Sequence, residues 1–557
     1  MKRLPGTSLL LFALALGCVG YVGTVPTGTG AAGTGGPGLA GTTGAAGTSA
    51  TGLGGTTGVA GISPTGVSGT TGSAGTSAAG GRGGTTGTAG TTAAGGRGGT
   101  TGTAGTTAAG GRAGTTGTAG TTGSGGTQGS CPPACGPSVT DFYDNSKLAT
   151  IRITFNQADT GTYTPAQWLD LLWSKWNHCP PFDASDLVRV TFQYESPDGK
   201  GNAMLSDVGM RLRGSMRRDY NQLQGFKLDF QKLLGTATGA ARRRFADNNR
   251  LNLLSIESDA SHMLQCLAYK TKRDFGLPSP YCNHLKVYVN GTYYGLMESV
   301  EEPEIGRFQA HHFGSTTGET YEGSPSQGDC SGANRFSDGS AKLTYSGDTF
   351  SSYSTQYKIT RGSTATAESH LIPMLKCGDA TATASDATFM TCISEWLDVD
   401  EWLKETAAES LMPSMEAMMM QRNLILYFVP DAAAPHGGRF QLSEWDLDVS
   451  FQRASCLPSN CDPFTATASF NSLGSRAKLI TRLTTVFKSR YCQFLKDFLA
   501  NTYKPAMVDT MSSVIAPGMT NDPTTTMSAW QTNVSSIKSY VTSHGSSAMT
   551  QVNSACP

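Results

Sequence analysis

Residues 251–301 read LNLLSIESDASHMLQCLAYKTKRDFGLPSPYCNHLKVYVNGTYYGLMESVE. Asp259 is placed to cap a helix running to about Phe275, with Leu264, Leu267 and Ala268 on one face and Gly276 as its stop. The runs 285–289 and 293–300 flank Asn290-Gly291, the dipeptide suited to a tight hairpin turn. On the N-terminal side, Val188, Val190, Phe192 and Tyr194 alternate along 187–195, which predicts a strand. Two further strands are expected over 208–213 and 226–230. On the C-terminal side the period changes. Trp402, Leu403, Ala407 and Leu411 fall at helical spacing after Trp396, and Leu479, Leu483, Val486 and Phe487 do so after Ser475. A short strand pair, 424–429 and 439–443, surrounds Gly437-Gly438. The fold class expected is α+β, with a β-rich half followed by a helical half.

The first quarter of the chain has a different composition. Before Cys131 there is no Asp or Glu and mostly Gly, Thr, Ala and Ser. Such a stretch has too little apolar surface to offset the entropy of ordering. Arg82, Arg97 and Arg112 recur every 15 residues within GGRGGTTGTAGTTAA units. A Gly-X-Y phase runs through these units but is interrupted at Ala93 and Ala108, and proline is nearly absent. The segment 19–130 therefore reads as a flexible Gly/Thr spacer. Its basic residues, with Lys2 and Arg3, give residues 1–130 a charge of +5; the chain is neutral overall, so the remainder carries −5. That mild acidity gives no reason to expect nucleic acid as a partner.

Lys2 and Arg3 precede an apolar run, 9–16, followed by Gly17-Cys18. The run has the length of a secretion signal and is too short to span a bilayer. Small residues before Cys18 make 1–18 resemble a lipoprotein signal, although Ala15 stands where Leu is usual. Lipidation of Cys18 would then be the membrane attachment; an ordinary signal peptide holding a stray cysteine is the alternative. Of 13 cysteines, 12 remain beyond Cys18, an even number suited to disulfides in an exported protein. Zinc is disfavoured: Cys131/Cys135 and Cys456/Cys461 have no histidine at a matching offset.

Three segments resemble the spore-coat-protein-H (CotH) family of atypical kinases. They are VGMRLRGS at 208–215 with GFKLDF at 225–230, the 251–301 stretch through RDFGLPSP and VYVNGTYYGL to Glu301, and NLILY at 423–427 with EWDLDVSF at 444–451. The resemblance covers roughly residues 187–455. It implies a bilobal, protein-kinase-like domain within 131–557, with a β-rich first lobe and a helical second lobe. It also implies transfer of phosphate from ATP, with Mg²⁺, to Ser or Thr of a protein substrate, outside the cell or at its surface. The resembling kinases act on basic, hydroxyl-rich coat proteins; the Thr-rich, Arg-bearing spacer shares that character weakly.

Phosphoryl transfer needs a cation on the phosphates, oxygen ligands for Mg²⁺, and a carboxylate to orient the nucleophile. Lys227 suits the phosphate role, and Arg213, alternating with Arg211, is a further phosphate contact; a solvated strand face is the alternative for each. Glu301 falls where a kinase hinge meets adenine, or else, with Glu302 and Glu304, in an exposed acidic loop. Asn423 and Asp446 are the expected metal pair and Asp448 a second carboxylate, two residues on and thus on the same face if 445–448 is a strand. One position departs from the family. The segment PSMEAMMMQRN, 413–423, lacks the expected catalytic Asp and offers Glu416, which reaches one methylene further. Glu416 either substitutes as the orienting carboxylate or marks a non-catalytic surface or coat interaction module. His262, His311 and His312 show no pairing in the sequence.

Overall fold

Alternating apolar residues close the strands of the first half into a barrel. The computed structural model describes residues 134–155, 164–175, 183–213, 222–235, 242–256, 259–303, 306–323, 341–414, 418, 421, 423–451 and 478–556. Residues 1–18 and 19–130, expected to be a signal segment and a spacer, and Glu416 lie outside the described residues. The strands are β1 (Ala149–Phe155), β2 (Val188–Glu195), β3 (Ala203–Leu212), β4 (Phe226–Asp229), β5 (Arg250–Ser255), β6 (Cys282–Val289) and β7 (Thr292–Val300). They run in the order β1-β2-β3-β4-β5-β7-β6 and close where β6 meets β1 in parallel, Ile151 opposite Val287. The β-rich half expected from the sequence is thus a closed seven-stranded barrel. Two of its strands, β1, which closes it, and β5, are not among those expected from the sequence. The pattern of β1 is nonetheless legible: Ile151, Ile153 and Phe155 alternate into the core while Arg152 and Thr154 do not.

The barrel interior holds Val190, Phe192, Met210, Phe226, Leu228, Leu253 and Val287, all fully buried. Phe142 and Phe245 join Phe192, Tyr194 and Phe230 in one ring cluster, with Phe192 and Phe245 edge to face at 4.9 Å. Full burial of such side chains contributes about 1.5–3 kcal/mol each. The β6–β7 hairpin turns at Asn290 (φ 48°) and Gly291 (φ 82°), two left-handed residues in succession, as the twist of a two-residue turn requires.

Among the described residues, ten longer helices, α1–α10, accompany the strands. After α1 (Pro165–Ser174), which belongs to the barrel side, come α2 (Leu264–Asp274), α3 (Gly306–Phe313), α4 (Ile372–Gly378), α5 (Asp386–Trp396), α6 (Val399–Leu411), α7 (Lys478–Val486), α8 (Lys488–Asp497), α9 (Pro505–Ile515) and α10 (Met527–Ala555). A four-stranded sheet lies among them, in the order β9-β8-β10-β11: β8 (Glu319–Gly323), β9 (Tyr357–Arg361), β10 (Leu424–Pro430) and β11 (Gly438–Glu444). A separate apolar cluster, including Trp402, Leu403, Leu426, Leu442 and Tyr491, fills the helical half.

Helix α2 follows its local signals. Asp259 Oδ2 accepts the Met263 and Leu264 amides at 2.7 and 2.8 Å, so the acid caps the first turn from some residues upstream. At the other end Gly276 (φ 82°) donates to Arg273 O and Leu277 donates to Lys272 O, at 2.9 and 3.0 Å. This paired closure needs a left-handed residue, which glycine adopts without a Cβ clash.

Disulfides join Cys266–Cys282, Cys377–Cys392 and Cys492–Cys556, and Cys135 is disulfide-bonded as well. Loop closure by a bridge of this span stabilises by about 3–4 kcal/mol in the chain-entropy description. No helix among the described residues is long and apolar enough to cross a membrane. Thiol counting on denatured, exported protein should find few free groups, and reduction should lower the melting temperature by at least about 5 °C. A protein with most thiols free would overturn the assignment to an oxidising compartment.

Candidate active site

Strand alternation decides which charges leave the barrel. Phe226 and Leu228 enter the core from β4, so Lys227 between them faces outward; Met210 and Leu212 do the same for Arg211 on β3. Register places Arg211, Lys227, Asn252 and Val300 side by side across β3, β4, β5 and β7. The period-two continuation beyond Val300 reaches residue 302. There the Glu302 carboxylate pairs with the Lys227 ammonium, and Arg250 Nη1 lies 3.8 Å from its second oxygen. Burial would raise the Glu302 pKa, but Lys227 and Arg250 outweigh it and hold the carboxyl at about 2. Burial lowers Arg211 to about 10, with Glu302 opposing the fall and Arg250 and Arg213 adding to it. Burial also lowers Lys227, against the pull of Glu302. Arg211, Arg213, Lys227 and Arg250 thus gather on one face around Glu302 and Asp229. An excess of cations there suits an anionic ligand.

Glu301 turns to the opposite side. His311 Nδ1 and His312 Nε2 lie 2.5 and 2.9 Å from its two oxygens, and the Tyr281 amide donates to it at 3.1 Å. It is fully buried, which overturns the reading of an exposed acidic loop. Its carboxyl is held at about 2, because His311 and His312 outweigh the burial that would raise it. His311 is raised: burial lowers it, but Glu301 and Asp247 prevail. The carboxylate on the strand lysine is therefore that of Glu302. Alternation from Val300 was the signal that could have found it, and the histidine pairing had no sequence signal at all.

The acidic residues gather at one end of the second sheet. Leu424 of β10 stands opposite Glu444 of β11, and the Trp445 amide donates to Asn423 O at 2.8 Å. Asn423 and Asp446 follow from the same pairing, one at each strand end. Both are left-handed, φ 46° and 61°, a conformation that Asn and Asp tolerate better than other non-glycine residues. Because β11 ends at Glu444, the residues 445–448 are not a strand, and the same-face argument for Asp446 and Asp448 does not hold. Asp448 instead begins a turn, partly exposed.

Arg213 links the two regions. Its guanidinium lies 5.5 Å from the Trp445 ring centroid, within reach of a cation–π contact. The residue after β3 thereby meets the residue after β11, one position before Asp446. Arg213, on the cationic face with Lys227, reaches Trp445, the neighbour of Asp446; Glu301 sits in a separate histidine clamp, and Glu416 lies outside the described residues. Asn423 and Asp446 offer oxygen donors and are only partly buried, which would suit a hard divalent cation such as Mg²⁺.

A closed barrel with a cationic outer face, joined to a helical half that holds a four-stranded sheet, defines an α+β protein. The family model described as CotH kinase protein matches residues 210–547, and the chain belongs to that family. The match begins within β3 and extends past the segments that resemble the family by eye, into α10. No curated protein matches the chain.

The pKa directions set a pH dependence. Glu302 sits below its ordinary 4.5 in the fold, so its stabilisation is present above about pH 4.5 and lost as pH falls towards 2. The interval corresponds to about 3 kcal/mol. His311 is raised, so its contribution is full below its ordinary 6.5 and lost as pH rises through its folded value. Unfolding free energies measured between pH 2.5 and 8 should show a shallower acid limb for Glu302→Gln and a flatter alkaline side for His311→Asn. Limbs parallel to the parent's would mean that these pairs do not form.

Proposed function

We propose that the protein is an exported atypical kinase that transfers the γ-phosphate of ATP, with Mg²⁺, to Ser or Thr hydroxyls of surface or coat proteins. Membership in the CotH kinase family supports a kinase-like activity. The single observation that carries the reading is the Arg213–Trp445 contact, which sets the Lys227 face beside the Asn423/Asp446 strand ends. In this reading Lys227 and Arg213 bind phosphate oxygens, with Glu302 holding the Lys227 ammonium in place. Asn423, Asp446 and Asp448 would hold Mg²⁺, which supplies charge neutralisation on the phosphates. Glu416 orients the acceptor hydroxyl. Glu301, clamped by two histidines between β7 and α3, would stand at the hinge that meets adenine. The cysteine pairing and the signal-like segment support export, with lipidated Cys18 as the membrane attachment and the spacer as the tether.

Glu416 in place of the family's Asp favours a second reading, a non-catalytic interaction module. A carboxylate displaced by one methylene loses alignment, and an error near 1 Å can cost about a hundredfold in rate. Incubation with labelled ATP and Mg²⁺ separates the two. Label on the protein or on an added basic substrate supports the kinase; no label with a nucleotide-induced melting shift supports the module; neither signal removes nucleotide chemistry altogether.

Asp446→Asn is the informative variant, because Asn keeps the left-handed backbone that Ala would strain. It should abolish Mg²⁺-dependent nucleotide binding and leave the unliganded melting temperature within about 2 °C of the parent's. Undiminished Mg-ATP binding would remove Asp446 from the metal site.

A further inference from the structure

Three charged side chains with no role so far meet in a buried position. Lys272 lies on α2, Glu405 on α6, and Glu444 is the last residue of β11. The Lys272 ammonium donates to Glu405 Oε1 at 2.6 Å and also to Glu444 Oε2. The side chains are 3%, 3% and 0% exposed. The second Glu444 oxygen accepts the Met418 amide at 2.8 Å. Burying three charges costs several kcal/mol per ion before pairing, and apolar packing often serves stability as well. Such a group is better explained by what it holds in place.

What it holds is the segment that carries the metal ligands. Glu444 is in register with Leu424, the Trp445 amide is bonded to Asn423 O, and Asp446 follows. Helix α2 touches this segment a second time. Tyr269, three residues before Lys272 and so on the same helix face, is fully buried. Its hydroxyl is buried near Asp446 and makes no hydrogen bond of ordinary geometry. The same helix is tied to the barrel. Cys266 is disulfide-bonded to Cys282 on β6, and Glu298 on β7 accepts from Gln265 Nε2 and the Cys266 amide at 3.1 and 3.3 Å.

We propose that Lys272 and Tyr269 are positioning residues through which α2, fixed to the barrel, sets the Asn423/Asp446 strand ends in line with the cationic barrel face. The effect on ligand binding rests on the phosphotransfer reading above; the effect on the backbone does not. Two readouts on the full-length protein keep them separate: hydrogen exchange of residues 440–451 without ligand, and Mn²⁺ titration in the presence of ATP, followed by loss of the free-ion resonance signal.

Tyr269→Phe removes one hydroxyl and no charge. It should leave the melting temperature within a few degrees, accelerate exchange at 445–448 about tenfold relative to the rest of the core, and weaken Mn²⁺ binding about three- to tenfold. Lys272→Met should exceed it in both. If that variant does not fold, Lys272→Arg takes its place and should lie between Tyr269→Phe and the parent in both readouts. Exchange at 445–448 that is unchanged, or that rises only in step with the whole core, overturns the inference. So does local loosening with unchanged Mn²⁺ affinity. Local loosening in a protein whose parent binds no Mn²⁺–ATP would sustain the positioning role and sink the kinase reading instead.

Discussion

The site depends on strand alternation in the barrel. A barrel of seven strands has an interior wide enough only for side chains, and here apolar ones fill it. Every second residue must then leave the core. On β3, β4 and β5 those positions hold Arg211, Lys227 and Asn252, while on β7 the outward Leu296 and Val300 join the core of the helical half. The core thus dictates where the charges appear, and the outward apolar residues dictate what they face.

Charge then works at two depths. Near the surface, Arg213 stacks on Trp445 and Arg250 is more than a third exposed, so their attractions are screened and adjustable. In the interior, Lys227–Glu302, Glu301 with its two histidines, and Lys272 with two glutamates are held in low dielectric, where breaking one partner leaves an uncompensated charge. Both Glu301 and Glu302 belong to the short connection from β7 to α3. One residue grips α3, the other grips β4, and their opposite directions fix the connection along its length. Glu401, next to Glu405 on α6, shows the limit of this arrangement: burial and the neighbouring Glu405 push its pKa well above the usual range, while one of its oxygens accepts the Leu442 amide at 3.2 Å.

Glu301 and Glu302 show how two adjacent carboxylates part company. Position after the hairpin suggested a hinge acid facing a ligand. The structure pairs Glu301 with His311 and His312 and gives the strand lysine its partner from the next residue. A carboxylate's role follows from the side to which the backbone turns it, and adjacent residues in an extended segment turn to opposite sides.

What the sequence determined alone is everything carried by local period and local backbone geometry. Strands β2 and β4, the Asn290-Gly291 turn, the Asp259 cap and Gly276 stop of α2, and the pairing of β10 with β11 all follow from residues close together in the chain. So does the identity of the charged residues from which a site can be made. Tertiary structure decided how those charges are shared. Lys272 meets partners 133 and 172 residues away, and no spacing rule connects them. Closure of the barrel by β1, the choice of Glu302 over Glu301, and the end of β11 just before Asp446 likewise turn on packing between distant segments. Local signals are set by the dihedral preferences of a few successive residues, whereas the pairing of buried charges is set by which surfaces the two apolar cores bring into contact.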